Sequence, residues 1–462
     1  MKIALMAPAG AMHRYNGSFS KSLHYSPLTL TTLAALIPPE LDAHIEIYDE
    51  TVEALPREID ADLIGMTVIT GTSPRVYRWA DYYRSQGIPV VLGGVHASLL
   101  PQEAKSHADA VVVGYAEKTW PQLLRDFKAG CLKPFYYVDG NFTLNGRPIP
   151  RRELLKKECY ITTNVVEATR GCSHSCNFCV TPTFAGNGVI TRPVQEVVAE
   201  IEQLPGKELI FIDVNLIANP GYAKTLFTEL IPLKKIWFGL VTVNIGKNKE
   251  LFDLMVKSGC RGLLIGFESV TQSSLKSIDK SFNRVEEYET LVKKLHDAGV
   301  AINGTFVLGT DGDDKSVFDR TVEMIQKLRI DLPRYSIMTP FPGTPLYQSL
   351  EKEGRIIERD WSLYDVEHCV IAPKQMTPQE LESGLEWAWR QTYKISSIFE
   401  RIASFDPMLF SLKIPVNLGY RYYAKKLGKF TRVAMTDYSD IPITQYEKNH
   451  IHIPSRGEEV WT

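Results

Sequence analysis

No apolar run in this sequence approaches the roughly 18 residues that a membrane-spanning helix needs, and the opening Met1 to Ala7 is a short strand-like stretch with no cleavable secretion signal. A cytoplasmic protein is expected. Charge of one sign is also lacking. There are 52 Lys and Arg against 54 Asp and Glu, a net charge of -2, so no global field draws nucleic acid or an anionic membrane to the whole surface. Cysteine is scarce: seven in 462 residues, an odd number, argue against a disulfide framework and for reduced thiols. Low-complexity tracts and short repeats are missing, and with 44% hydrophobic and 23% charged residues this excludes disorder and fibrous architecture. Against the ~150 residues of a typical domain, the length calls for two or three cores.

Up to about residue 130, short β-branched runs alternate with helical stretches, the pattern of an open parallel sheet. Strands are expected at Lys2 to Ala7, His44 to Tyr48, Leu63 to Val68, Pro89 to Leu92 and Ala110 to Val113, with helices near Leu28 to Ile37, Pro74 to Ser85 and Trp120 to Lys128. This is a doubly wound, Rossmann-like domain over 1–135. Thr67, Thr70, Gly93, Gly94 and Gly114 fall at its strand ends, on the edge where such sheets bind ligands. The turn residues Asp139-Gly140-Asn141 and Asn145-Gly146 and the polar run Arg151 to Lys157 mark 136–160 as a linker with a small hairpin.

A second α/β series follows over 161–370. Its strands are expected at Val165 to Thr169, Leu209 to Val214, Ile236 to Val241, Leu263 to Gly266, Ala301 to Val307 and Arg334 to Met338, with helices between them. Six parallel strands make a partial or complete TIM-type (β/α)6 barrel whose site sits at the carboxyl ends of the strands. Residues 371–462 read as a mainly helical extension, opened by the capping signature Thr377-Pro378-Gln379-Glu380 before Leu381 to Phe399.

Three cysteines, Cys172, Cys176 and Cys179, lie within eight residues in the loop after the first strand of this second series. Three thiolates on one short loop can hold three irons of a cubane [4Fe-4S] cluster and leave the fourth iron open to a small molecule that receives an electron. The alternative is a closed tetrahedral zinc site of the three cysteines plus His174. Cys131, Cys159, Cys260 and Cys369 are scattered and read as small buried apolar residues.

With Phe178 directly before its last member, the triad resembles the signature of the radical S-adenosylmethionine (SAM) enzymes. The resemblance implies that the methionine amine and carboxylate of SAM chelate the fourth iron. It further implies that an electron, from a donor such as flavodoxin or ferredoxin, cleaves the sulfonium to a 5'-deoxyadenosyl radical that abstracts hydrogen from substrate. Gly266-Phe267-Glu268-Ser269 is similar to the family's ribose-binding segment, which makes Glu268 the expected acceptor of sugar hydroxyls and brings Ser269 into the cofactor set. Leu209 to Asn215 resembles the second-strand motif, but Val214 replaces the second of two acids and Asp213 alone keeps a carboxylate. Gly309 to Asp313 and Thr339 to Tyr347 resemble the fifth and sixth strand-end loops. No Gly-Gly-Glu segment follows Cys179 to partner the methionine amine, and Arg192 matches a common family position without an assigned role.

The first 130 residues resemble the B12-binding domain that precedes the barrel in one radical SAM subfamily, with Tyr25 to Ala34, Asp62 to Val68, Val90 to Ala97 and Ala108 to Gly114 matching in order. The implication is a cobalamin on the carboxyl edge of the sheet, near Thr67, Thr70, Gly93, Gly94, His96 and Gly114. No Asp-x-His-x-x-Gly loop follows Ala7, so no histidine is expected under the cobalt. A degenerate domain that holds no cofactor is the alternative.

Within that subfamily the expected activity is methylation of an unactivated carbon on a hydrophobic, lipid-like or natural-product-like small molecule. Radical rearrangement or oxidative cyclisation without methyl transfer, and a non-catalytic cofactor-binding sensor, remain alternatives. The tRNA methylthiotransferases share the domain order but need three more cysteines in the first domain, and residues 1–130 contain none. From Arg390 to Arg432 nine Lys or Arg face two acids, and ten aromatic residues lie between Trp387 and Phe430. Segment 387–432 is open to two readings: peripheral contact with an anionic membrane, or aromatic packing on the barrel with Lys425, Lys426 and Lys429 solvated. It carries no RNA-binding motif, and no nucleic acid partner is expected.

Overall fold

Leu63 to Met66 and Val90 to Leu92 are buried without alternation, as strands covered on both faces must be. They belong to a six-stranded parallel sheet of β1 (Lys2–Ala7), β2 (His44–Asp49), β3 (Leu63–Thr67), β4 (Val90–Gly93), β5 (Ala110–Val113) and β6 (Phe135–Tyr137), in the order β2-β1-β3-β4-β5-β6. The order reverses at β1 and β3, and a ligand crevice is expected beyond the carboxyl ends there. The computed structural model describes residues 1–10, 26–138, 142–186, 188–402, 407–430 and 440–442, without side chains at 407–412 and 428–430. Expectations that fall on Tyr25, on Asp139-Gly140-Asn141, on the Lys429 side chain or on most of the chain after 430 lie outside the described residues.

The linker differs from expectation. Phe135–Tyr137 joins the first sheet as a sixth parallel strand, in register with Val111 to Val113, instead of opening a hairpin. Tyr136 drives this, since it is buried and donates to Asp126 Oδ2 at 3.0 Å. Short helices at Val95–Leu99 and Pro101–Ser106, too brief to show a period, also fill the crossover after β4.

The stretch Val165 to Thr169 is not one strand. β7 (Val165–Val166) begins the second sheet, and β8 (Thr169–Gly171) then pairs antiparallel with β9 (Val189–Thr191). The ladder breaks because the Ala168 and Thr169 N–H groups donate to the Asp213 carboxylate. Gly171 is required in this hairpin: its φ is +87°, and a Cβ there would lie 2.1 Å from Gly188 O.

β10 (Glu208–Phe211), β11 (Ile236–Val241), β12 (Cys260–Glu268), β13 (Ala301–Leu308) and β14 (Arg334–Ile337) complete an open six-stranded parallel sheet, β14-β13-β12-β11-β10-β7, the partial barrel. Its core stacks Trp237 on Phe227 and sets it edge-on to Phe211.

The capping box Thr377/Glu380 opens a helix at Pro378–Thr392, which ends seven residues short of the expected Phe399; a second helix spans Ile395–Ile402 and a third Pro407–Phe430. Arg401 explains the break, because its guanidinium takes up the Thr392 carbonyl at 3.1 Å together with those of Ile330 and Asp331 at 2.8 Å. Trp389, Tyr393 and Tyr420 are buried against one another, and Lys413 is buried 2.6 Å from Asp331 Oδ1. Part of the basic, aromatic segment is therefore internal packing.

Candidate active site

The three cysteines sit in the loop of the β8/β9 hairpin. Cys176 is buried, Cys172 and Cys179 are partly so, and the Cys179 N–H donates to Cys176 O at 3.1 Å, a turn that gathers the loop. Two anchors hold it to the barrel: Asn177 Nδ2 donates to Ser277 O at 3.0 Å, and the Leu346 N–H donates to Asn177 O at 3.0 Å. His174 stacks on Phe282 with ring centres 3.8 Å apart. Phe178 is half-buried and packs on the barrel core.

Burial pushes the Cys176 thiol up to about 11 against the pull of Lys280, so a thiolate here needs further positive charge. Asn215, in the turn four residues past β10 (Glu208–Phe211), donates to Cys172 Sγ at 3.7 Å while its Oδ1 is buried without a partner. Among the described residues no three His, Cys, Asp or Glu side chains gather tightly enough for one metal ion, and His174 is engaged by Phe282. The geometry thus disfavours the closed zinc site. Three sulfurs on one loop, one with an amide donor, beside the buried Lys280 ammonium, fit a larger anionic iron–thiolate cluster.

Glu268 lies at a register shift between β12 and β13 and has a left-handed φ of +62°. Its Oε1 accepts from Lys280 Nζ at 2.6 Å, and its carboxylate folds back over Gly266, where a Cβ would be 2.3 Å from Oε1. Ser269 is buried in the following turn and its Oγ accepts from the Thr271 N–H. Asp213 is placed differently from a ligand-facing acid: Thr169 Oγ1 donates to it at 2.7 Å beside two backbone N–H donors, so its carboxylate anchors the root of the hairpin. Burial raises it to about 7 in spite of those donors. Val214, in place of the second acid, is half exposed.

A cavity of ≈ 380 Å³ lies between the carboxyl edge of the first sheet and the cysteine hairpin. Thr67, Gly93, Gly94 and Gly114 line one wall. Gly94 has a φ of +103°, and a Cβ there would lie 2.7 Å from Val68 O, so the backbone itself forms the surface. Small residues on a sheet edge fit the approach of a broad cofactor face. Thr70 and His96 do not line this wall. Both are buried, with His96 Nδ1 3.2 Å from Thr70 Oγ1 and Nε2 3.0 Å from Glu103 Oε1. The helix Val95–Leu99 turns the imidazole inward, which position on the strand end does not reveal.

Residues that no motif marked form the opposite wall. Arg170 pairs with Glu117 at 2.7 Å and with Glu167 at 2.9 Å, and its guanidinium is 4.9 Å from the Tyr115 ring centre. Arg192 now has a role: it is buried, donates to Glu200 Oε2 at 2.7 Å and to Glu167 O at 3.1 Å, and ties the hairpin to the helix Val194–Gln203. Asp313 closes the Gly309 to Asp313 loop, accepting from the Gly309 and Thr310 N–H groups and from Ser274 Oγ at 2.6 Å.

Two family models match the chain: the B12 binding domain over residues 34–124 and the radical SAM superfamily over 166–325. Among curated relatives, the bacteriochlorophyllide d C-12(1)-methyltransferase of Chlorobaculum tepidum is 32% identical over 396 residues, 81% of this chain and 84% of that protein. The C-8(2)-methyltransferase of the same organism is 28% identical, covering 92% and 94%. Among solved structures, the methyltransferase TsrM of Kitasatospora setae, with cobalamin and a [4Fe-4S] cluster bound, superposes with a TM-score of 0.65 at 15% identity, over 93% of this chain and 99% of that one. This last likeness establishes the fold.

Proposed function

Because this chain belongs to the radical SAM superfamily, in the branch that carries an amino-terminal B12-binding domain, we propose that it transfers a methyl group to a peripheral carbon of a tetrapyrrole-type macrocycle. The observation that carries this reading is the 32% identity with a bacteriochlorophyllide methyltransferase along most of that protein's length. The enzyme uses a [4Fe-4S] cluster, SAM and cobalamin, which supply the electron, the hydrogen-abstracting radical and the methyl group when bound. In this reading Cys172, Cys176 and Cys179 ligate the cluster, with Phe178 packed beside them. Glu268 accepts the ribose hydroxyls of SAM, and Ser269 shapes the turn behind it. Thr67, Gly93, Gly94 and Gly114 present the cobalamin edge, while Thr70 and His96 brace it from within. Asp213 and Arg170 hold the hairpin against that edge.

The test is anaerobic reconstitution with iron, sulfide and hydroxocobalamin, followed by turnover with SAM, a chlorin or porphyrin, and dithionite or reduced flavodoxin as the electron source. A macrocycle heavier by one methylene, formed with S-adenosylhomocysteine and 5'-deoxyadenosine, supports the proposal. Formation of 5'-deoxyadenosine with an altered but unmethylated macrocycle sinks it in favour of cyclisation or rearrangement.

No helix among the described residues is long and apolar enough to cross a membrane. Surface contact is a separate part of the reading. Trp387, Ile395, Phe399, Leu418 and Tyr422 are five of the twelve large apolar side chains exposed among the described residues. The helix Pro407–Phe430 also contains five Lys or Arg and no acid. Exposed apolar side chains in a basic segment suit an anionic bilayer holding an apolar substrate. Co-sedimentation with phosphatidylglycerol vesicles but not phosphatidylcholine vesicles, abolished by Tyr422→Ser with Lys425→Glu, is expected.

A further inference from the structure

One buried cation stands beside the cysteine loop. Lys280 follows the helix Gln272–Ser277 and is only 7% exposed. Its ammonium is 2.6 Å from Glu268 Oε1 and 5.8 Å from the centre of the Phe282 ring, on which His174 of the cysteine loop stacks at 3.8 Å. The loop is fastened to the same segment through Asn177 and Ser277.

The ion pair is costly to build. Both side chains are at least nine-tenths buried, and taking two charges out of water costs several kcal/mol per ion before their attraction offsets it. Glu268 adds a left-handed backbone and a strand bulge, and its pair with Lys280 lies over Gly266, where a Cβ would be 2.7 Å from Lys280 Nζ and would displace it. A hydrophobic pair of similar volume would serve stability as well. Strain and buried charge together, next to three cysteines, point to a task beyond stability.

Reduction of a thiolate-bound cluster adds negative charge to an anionic centre, and its potential responds to the net charge around it. A fixed cation in a low-dielectric surrounding favours the reduced state, and a fixed anion opposes it.

We propose that Lys280 is a positioning residue with two linked effects: it holds the Glu268 carboxylate in its bulged conformation, and it raises the reduction potential of the cluster by placing one positive charge beside the cysteine loop. This rests on the reading that the three cysteines hold a [4Fe-4S] cluster, and its test separates the two claims.

Full-length protein, reconstituted anaerobically with iron and sulfide, is titrated with dithionite through redox mediators while the cluster is followed by electron paramagnetic resonance. At four irons per chain, Lys280→Met is expected to move the midpoint to a more negative potential and Glu268→Gln to move it the other way. The double variant returns toward wild type, and Lys280→Arg, which keeps the charge, stays close to it. A role in packing alone does not produce shifts of opposite sign. An unshifted midpoint in fully loaded Lys280→Met, or shifts of the same sign in the two single variants, overturns the proposal. If Lys280→Met loses iron, Glu268→Gln decides: an upward shift supports the proposal and no shift overturns it. Wild-type protein that takes up no iron overturns the cluster reading and this proposal together.

Discussion

Arg170 Nη1 stands 2.7 Å from Glu117 Oε1, an ion pair that joins the cysteine hairpin to the domain of the first sheet. The two side chains are 18% and 10% exposed, and Glu117 Oε2 is buried without a partner. Arg170 lies two residues before Cys172 and lines the same cavity wall as Tyr115 and Glu167. The ion pair thus ties the root of the cysteine loop to the carboxyl edge of the first sheet.

Removing this clasp has a direct consequence. In Glu117→Ala, Arg170 keeps Glu167 and the Tyr115 ring but the hairpin loses its ion pair to the domain of the first sheet. We expect a loss of about 1–3 kcal/mol, the scale for deleting one partner of a buried hydrogen-bonded pair, together with faster corrinoid release. Urea unfolding and corrinoid retention on gel filtration measure the two effects, and wild-type behaviour in both would refute the clasp.

Glu200 is fully buried between Arg152 and Arg192. Glu200→Gln strands two guanidinium groups without their counter-charge, and the expected cost is about 3–5 kcal/mol. The hairpin root should loosen first, so iron uptake should fall before the far-ultraviolet circular dichroism changes. Iron content measured across a urea series checks this order.

Gly94 tests the backbone surface of the cavity. Its φ of +103° and the 2.7 Å approach of Val68 O leave no place for a Cβ. Gly94→Ala is expected to destabilise by at least ~1 kcal/mol and to weaken hydroxocobalamin binding while iron uptake remains at wild-type level. Equal loss of both cofactors would instead indicate global unfolding.

The cysteine triad is legible because its three members lie within eight residues, and the structure keeps them together on the loop between β8 and β9. Most strands were legible for a similar reason, since β-branched runs such as Ala110–Val113 carry their signal locally. Direction was not. His96 follows a glycine pair at a strand end, yet a five-residue helix turns it inward, and no periodicity exists over so short a span. Arg170, Lys280 and Glu117 were missed because a lone charged residue acquires meaning only from partners in other elements. The break after Val166 depends on Asp213, far along the chain, capturing two N–H groups that a strand would have used.

Asp331 makes the acid limb of stability testable. Burial opposes its ionisation, but the hydrogen bond to His296 Nε2 at 3.0 Å and the Lys413 ammonium at 2.6 Å outweigh burial and hold the carboxyl below its usual value. The Ile302 N–H, at 2.8 Å, also donates to it. A carboxyl lowered in the folded state contributes stability that is present above its unfolded value of about 3.9 and is lost as pH falls through the folded value. Asp331 receives Lys413 of the helix Pro407–Phe430, so this loss should release that helix from the barrel. Asp331→Asn, measured by urea unfolding between pH 7 and 3, should be less stable at neutral pH and show a flatter decline below pH 4. A variant whose decline parallels wild type would mean that other carboxylates set the acid limb.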